Sequence, residues 1–181
     1  LPVLAILPLM PITFVSIILP TYNEAENIVG LCEAIHAAIQ QPHEIIVVDD
    51  NSPDGTSQKT QHLIELGTVP GLRLETRTAD RGLTNSIRRG VELAKGDTVV
   101  WMDCDFSMPP IEIPKLLAKV EQGADAAVGS RFIPGGSTKT AGGQESALAI
   151  VLSRLLNWLT RILLTRTFHD YTSGFIAVRK E

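Results

Sequence analysis

Cysteine is nearly absent. Cys32 and Cys104 are too few and too far apart for a disulfide scaffold or a zinc site, and such sparse usage fits a reducing compartment. An excess of basic charge is missing too: sixteen Lys and Arg stand against twenty Asp and Glu, for a formal net charge of −4. With no surplus to neutralise a phosphate backbone, no nucleic-acid partner is expected. Repeats, low-complexity tracts and Pro/Gly linkers are also lacking, so the 181 residues read as one domain, 1–181. The apolar start has no preceding Lys or Arg, and Pro2, Pro8 and Pro11 interrupt any helix there. Leu1–Pro11 therefore reads as an irregular lead-in, and no membrane-spanning segment is expected.

What the chain does have is alternation. Apolar, β-branched runs are expected as strands at Thr13–Leu19, Glu44–Asp49, Leu72–Thr76, Thr98–Asp103, Ala124–Gly129 and Gly174–Arg179. Between them, helical periodicity marks Glu24–Ile39, Ser57–Leu66, Leu83–Ala94 and Ile111–Glu121, with Gly67, Gly96 and Gly123 as stop signals. Four strand candidates are near-continuous hydrophobic runs, as strands buried on both faces must be. The pattern predicts an α/β sandwich around a mainly parallel sheet.

The acidic residues fall where such a sheet does chemistry. Glu44–Asp50 and Thr98–Asp105 each run an apolar strand into paired carboxylates, and Pro20–Glu24 follows the first strand. Open parallel sheets bind ligands outside the carboxyl ends of their strands, so all three clusters are expected on one rim. An Asp-x-Asp pair at a strand end suits a hard divalent cation, Mg²⁺ or Mn²⁺, which takes oxygen ligands and bridges to substrate phosphates. Without a cation the cluster would repel a phosphate. Two like charges ~4 Å apart cost ~4 kcal/mol at an effective dielectric of 20.

Gly135, Gly136, Gly142 and Gly143 mark a long loop, and Glu145–Leu164 then reads as a long helix. Its polar residues Ser146, Ser153, Arg154, Asn157, Thr160 and Arg161 form one stripe on an otherwise Leu-rich surface. The pattern fits a core-packing helix, with a helix at a bilayer interface, Trp158 at the boundary, as the alternative.

Taken together, P-T-Y-N-E-x-E-N at Pro20–Asn27, V-V-D-D-N-S-P-D-G-T at Val47–Thr56, R-G-L at Arg81–Leu83, M-D-C-D-F-S-M-P-P at Met102–Pro110, G-S-R-F at Gly129–Phe132 and D-Y-T-S-G-F at Asp170–Phe175 resemble glycosyltransferase family 2. Within it, the last two motifs are similar to those of the polyprenol-phosphate (dolichol-phosphate) mannosyltransferases. The resemblance implies a GT-A fold. It also implies inverting transfer of a hexose, mannose favoured, from a nucleotide sugar such as GDP-mannose to a polyprenyl or dolichyl phosphate. By matching positions, Pro20, Tyr22, Glu24, Val48 and Asp50 would hold the nucleoside. Asp103, Asp105 and Ser107 would bind the cation, and Cys104 would touch the nucleotide through its backbone. Asp105 and Arg131 would act in catalysis, with Arg131 meeting the phosphates, and Ser153 would bind the acceptor phosphate.

The resemblance has departures. An Arg usual four residues before the acceptor serine is Ala149 here, with Arg154 as the available substitute, and a Trp usual early in the long helix is missing. The chain stops soon after D-Y-T-S-G-F, which reads as a catalytic domain truncated at its C-terminus, peripheral to the cytoplasmic side of a membrane. The alternatives are a UDP-glucose-type polyprenyl-phosphate transferase and, from another class, a Mg²⁺-binding receiver-like signalling domain. In the latter, V-V-D-D-N would be the acidic pair, although here it ends the second strand. A dinucleotide-binding oxidoreductase is disfavoured, because no G-x-G-x-x-G follows the first strand.

Overall fold

The computed structural model describes residues 11–131, 158, 160, 170 and 173–180. The Ser153 position, the glycine loop and all of the long helix except Trp158 and Thr160 lie outside them. In chain order the elements are β1 (Val15–Thr21), α1 (Ile28–Ala38), β2 (His43–Asp49), α2 (Thr56–Leu66), β3 (Leu72–Thr76), α3 (Leu83–Leu93) and β4 (Thr98–Trp101). A short 3-10 turn, Pro110–Glu112, leads into α4 (Ile113–Glu121), β5 (Ala126–Val128) and β6 (Ile176–Arg179).

The six strands form one sheet in the order β3-β2-β1-β4-β6-β5. β1 pairs in parallel with β2 and β4, and β2 with β3, whereas β6 runs antiparallel between β4 and β5. The expected α/β sandwich with a mainly parallel sheet is therefore found.

Strand alternation sorts the core into two layers. Val15, Ile17 and Leu19 of β1 join Ile45 and Val47 of β2 beneath Leu31 and Ile35 of α1, Leu63 of α2 and Leu117 of α4. Ile18, Ile46, Val48 and Val99 face the other way, toward α3 and Ala94. Each fully buried Ile or Leu contributes ~1.5–3 kcal/mol of apolar burial. Helix α3 lies so close to β1 that a Cβ on Gly90 would sit 2.4 Å from Ile18 Cγ2, which is why glycine stands there.

Two boundaries differ from the periodicity for reasons that matter to the site. Helix α1 begins at Ile28 rather than Glu24: residues 25–27 form a turn, and the amides of Glu24 and Ala25 are capped by Thr56 Oγ1 (3.0 Å) and Asp54 Oδ2 (2.9 Å). Strand β4 stops at Trp101, which leaves Asp103–Asp105 in a turn beyond the sheet edge.

Candidate active site

The exit of β2 is a hydrogen-bonded knot. Asp49 is fully buried and accepts from Thr21 Oγ1 (3.1 Å), Ser52 N (3.0 Å), Ser52 Oγ (2.5 Å) and Ser57 Oγ (2.6 Å). Asn51 takes a left-handed φ of 56°, which Asn tolerates, and Ser52 Oγ accepts from Asn23 N at 2.9 Å. Asp54 accepts from Thr56 N (3.0 Å), Thr56 Oγ1 (2.6 Å) and Ala25 N (2.9 Å). Burial raises the Asp54 carboxyl, but these bonds outweigh it and hold the group below its ordinary value. Most of the D-D-N-S-P-D-G-T motif is thus scaffolding that pins the Pro20–Glu24 loop against the β2 exit.

Asp50 points the other way, into a cleft of about 440 Å³ lined by Pro20, Thr21, Tyr22, Asp50, Arg81, Gly82, Leu83 and Ser86. Its carboxylate takes Arg77 Nη1 (2.9 Å), Ser86 Oγ (2.9 Å) and Gly82 N (2.5 Å). The Arg81 guanidinium stands 5.0 Å from the centre of the half-exposed Tyr22 ring, within cation–π range. Val48, in contrast, is wholly buried in β2. Arg77 and Ser86 escape the motif reading. Arg77 is found only through sheet register, since Asp49 pairs with Thr76 and Asp50 and Arg77 leave adjacent strand ends together, whereas Ser86 comes from α3.

Beyond β4, Asp103 N donates to Met108 Sδ (3.4 Å), and Asp105 Oδ1 accepts from Ser107 N (2.9 Å). Phe106 between them has a φ of 58°, a left-handed conformation that costs a bulky side chain ~1–2 kcal/mol. The strained turn sets both aspartates on the rim. Burial pushes the Asp103 carboxyl up, Asp105 pushes it further, and Arg131 partly counters both. Glu24 is raised as well. Burial is the main cause, offset in part by the Asn27 amide, and Asp105, Asp54 and Asp103 add repulsion. The loops after β1, β2 and β4 therefore share one electrostatic neighbourhood, as the sequence led us to expect. Cys104 is buried beside them, and its thiol is pushed up by burial and four neighbouring groups, so it is no nucleophile.

Arg131 follows β5 and closes this rim. Its Nε and Nη2 donate to Asp170 at 3.0 and 3.4 Å, and its own backbone N donates to Oδ2 at 3.3 Å. Asp170 is 1% exposed, so the pair is anchored from the inside. Gly129 N bonds Phe175 O (2.8 Å), and a Cβ on Gly129 would lie 2.7 Å from the Phe175 ring. The G-S-R and S-G-F segments interlock.

This arrangement has known counterparts. The model of glycosyl transferase family 2 matches residues 16–181. The chain is 41% identical over 171 residues to a dolichol-phosphate mannosyltransferase of Pyrococcus furiosus, covering 92% of this chain and 46% of that one. It is 39% identical over 168 residues to a polyprenol monophosphomannose synthase of Mycolicibacterium smegmatis, covering 91% and 61%. Among solved structures, mannosyl-3-phosphoglycerate synthase from Rubrobacter xylanophilus superposes with a TM-score of 0.70 at 20% identity, over 92% of this chain and 54% of that one. Glucosyl-3-phosphoglycerate synthase from Mycobacterium tuberculosis, solved with Mn²⁺, UDP-glucose and phosphoglyceric acid, gives 0.68 at 20% identity, over 92% and 57%.

The fold is of the GT-A, Rossmann-like type. The chain belongs to glycosyl transferase family 2, which sets aside the receiver-like reading. It spans 46% and 61% of the lengths of the two curated relatives.

Proposed function

We propose that residues 1–181 are a single catalytic domain of an inverting enzyme that transfers a hexose, mannose favoured, from a nucleotide diphosphate sugar to a polyprenyl or dolichyl phosphate. The observation that carries this reading is the convergence of Glu24, Asp54, Asp103 and Asp105 beside the cleft that holds Tyr22 and Asp50. GDP-mannose is the favoured donor because the two curated relatives above are a mannosyltransferase and a phosphomannose synthase. A second reading keeps the lipid phosphate and changes the sugar. It is supported by 33% identity to an undecaprenyl-phosphate 4-deoxy-4-formamido-L-arabinose transferase of Pseudomonas fluorescens.

The rim suits a divalent cation. Asp103 and Asp105 repel each other, and among the described residues no hydrogen-bond donor relieves the Asp103 carboxylate. Asp103, Asp105 and Ser107 would supply the all-oxygen donor set that Mg²⁺ or Mn²⁺ takes. Bound there, the ion would offset the charge of the donor diphosphate and of the leaving nucleotide.

The nucleoside would occupy the cleft of Pro20, Tyr22 and Asp50, with Glu24 beside it and the buried Val48 and Cys104 able to contribute backbone alone. Arg131 would meet the phosphates, its planar fork charged at any working pH. Ser153 would receive the acceptor phosphate. A phosphate monoester has a second pKa near ~6, so at neutral pH it is largely a dianion and needs no protein general base. Its oxygen attacks the anomeric carbon, and the bond from that carbon to the diphosphate breaks. The lipid-linked acceptor confines the reaction to a membrane surface, and two buried free cysteines suit its cytoplasmic side. Among the described residues, no helix is long and apolar enough to cross a membrane.

A panel of nucleotide sugars, each with Mn²⁺ and with EDTA, tests the reading by thermal stabilisation. At 100 times its dissociation constant the donor adds ~2.7 kcal/mol. GDP-mannose is expected to stabilise in Mn²⁺, with labelled mannose then passing to a short-chain polyprenyl phosphate in the full-length enzyme. Failure of every nucleotide sugar to stabilise the protein overturns the proposal.

A further inference from the structure

Arg77 belongs to none of the motifs and does not itself line the cleft, yet it holds Asp50 and Ser86, which do. It is the first residue past β3, and its side chain is only 9% exposed. Nη1 donates to Asp50 Oδ1 (2.9 Å) and Ser86 Oγ (2.7 Å). Nη2 donates to the carbonyl oxygens of Ala79 (3.3 Å) and Asp80. One guanidinium thus ties the β2 exit, α3 and the turn at Ala79–Gly82 together. That turn delivers Arg81 and Gly82 to the cleft and sets Arg81 over Tyr22.

The consequence falls on Asp50. Its Oδ1 takes bonds from both Arg77 and Ser86, and its Oδ2 takes one from Gly82 N. A carboxylate has about four acceptor sites, so about one remains for a ligand. Its charge is also balanced by the buried guanidinium. Without the guanidinium, only Ser86 Oγ and Gly82 N would orient the carboxylate.

We infer that Arg77 is a positioning residue for donor recognition. It presents Asp50 as an oriented, charge-balanced acceptor and holds the turn that forms the far wall of the nucleoside cleft. The inference rests on the nucleotide-sugar reading above. Lysine is a poor replacement, because a point ammonium cannot span a carboxylate, a hydroxyl and two carbonyls as the planar fork does.

Calorimetry with Mn²⁺ and either GDP, UDP or pyrophosphate tests this on wild type, Arg77→Lys, Arg77→Met and the Arg77→Met/Asp50→Asn double variant. Arg77→Met is expected to weaken the bound nucleotide at least tenfold and to leave pyrophosphate, which does not reach the nucleoside cleft, within twofold. Arg77→Lys falls between wild type and Arg77→Met, and it serves alone if Arg77→Met does not fold. The double variant also lacks the Asp50 carboxylate and is expected to bind nucleotide no better than Arg77→Met. In the full-length enzyme the donor KM rises while kcat stays within about threefold. Nucleotide binding by wild type that both single variants preserve overturns the inference alone, as does an equal loss of pyrophosphate and nucleotide. Wild-type protein that binds neither GDP nor UDP overturns the functional reading, and this inference with it.

Discussion

The backbone of Gly174 abuts the carboxylate of Asp103: a Cβ at residue 174 would lie 3.2 Å from Oδ2, 3.4 Å from Oδ1 and 3.2 Å from Met108 Cε. A methyl group at such distances forces its neighbours to give by a few tenths of an ångström. Met108 is flexible enough to yield, but Asp103 moves with it, because Asp103 N donates to Met108 Sδ. Gly174→Ala is therefore expected to weaken Mn²⁺-dependent nucleotide binding several-fold while costing little thermal stability. Unchanged Mn²⁺ dependence in a calorimetric titration would show that the glycine does not shape the proposed cation site.

Asp105→Asn keeps an acceptor for Ser107 N (2.9 Å in the native protein) and removes one of two mutually repelling charges. The fold is expected to stay intact or gain slightly, while most metal-dependent nucleotide binding disappears. The check is the thermal shift produced by GDP-mannose in Mn²⁺ and in EDTA. A variant that responds as wild type does in Mn²⁺ refutes the assignment of Asp105.

Acid sensitivity is expected from the opposite end of the sheet. Glu44 is 3% exposed and accepts from Lys95 N (2.7 Å), Arg73 Nη1 (2.7 Å) and Ser16 Oγ (2.8 Å). Burial raises its carboxyl, yet these partners together hold it below its ordinary value of 4.5. The unfolded chain then binds the proton more readily, so stability rises with pH through this range. The contribution is complete above about 4.5 and is lost as pH falls through the lower folded value. In urea titrations the gap between wild type and Glu44→Gln should be widest at neutral pH and narrow in acid. An equal gap at every pH counts against this origin.

Legibility in the sequence followed range of interaction. Asp103 and Asp105 stood out because an apolar run, Thr98–Trp101, ends just before them, and a strand end is a local property. The antiparallel setting of Ile176–Arg179 was not readable, since its apolar residues alternate identically in either direction. The capping of the Glu24 and Ala25 amides was not readable either, because Thr56 and Asp54 reach back from the next loop to make it. Arg77 was invisible for the same reason: only the β2–β3 register brings it to Asp50.

Arg131 is bound to Asp170 so firmly that a single substitution confounds two effects. Removing the guanidinium takes a charged partner from a carboxylate that is 1% exposed, and breaking a buried pair costs about 3–5 kcal/mol. The Arg131 side chain is itself 33% exposed, which places Arg131→Ala at the low end of that range. At ~2–4 °C per kcal/mol, the melting temperature should fall by ~6–12 °C. Turnover will fall as well, but loss of fold alone could explain that. The Arg131→Met/Asp170→Asn double variant separates the two, because the Asn oxygen still accepts from the residue 131 amide and the buried carboxylate itself is gone. Stability should largely return, since replacing both members of a buried pair is often close to neutral. Turnover should not, if the guanidinium stabilises charge on the departing diphosphate. Losing one such donor costs ~10²–10³-fold in kcat. Both quantities are to be measured on the full-length enzyme with a short-chain polyprenyl phosphate. Recovery of turnover in step with stability would reduce Arg131 to a structural partner of Asp170.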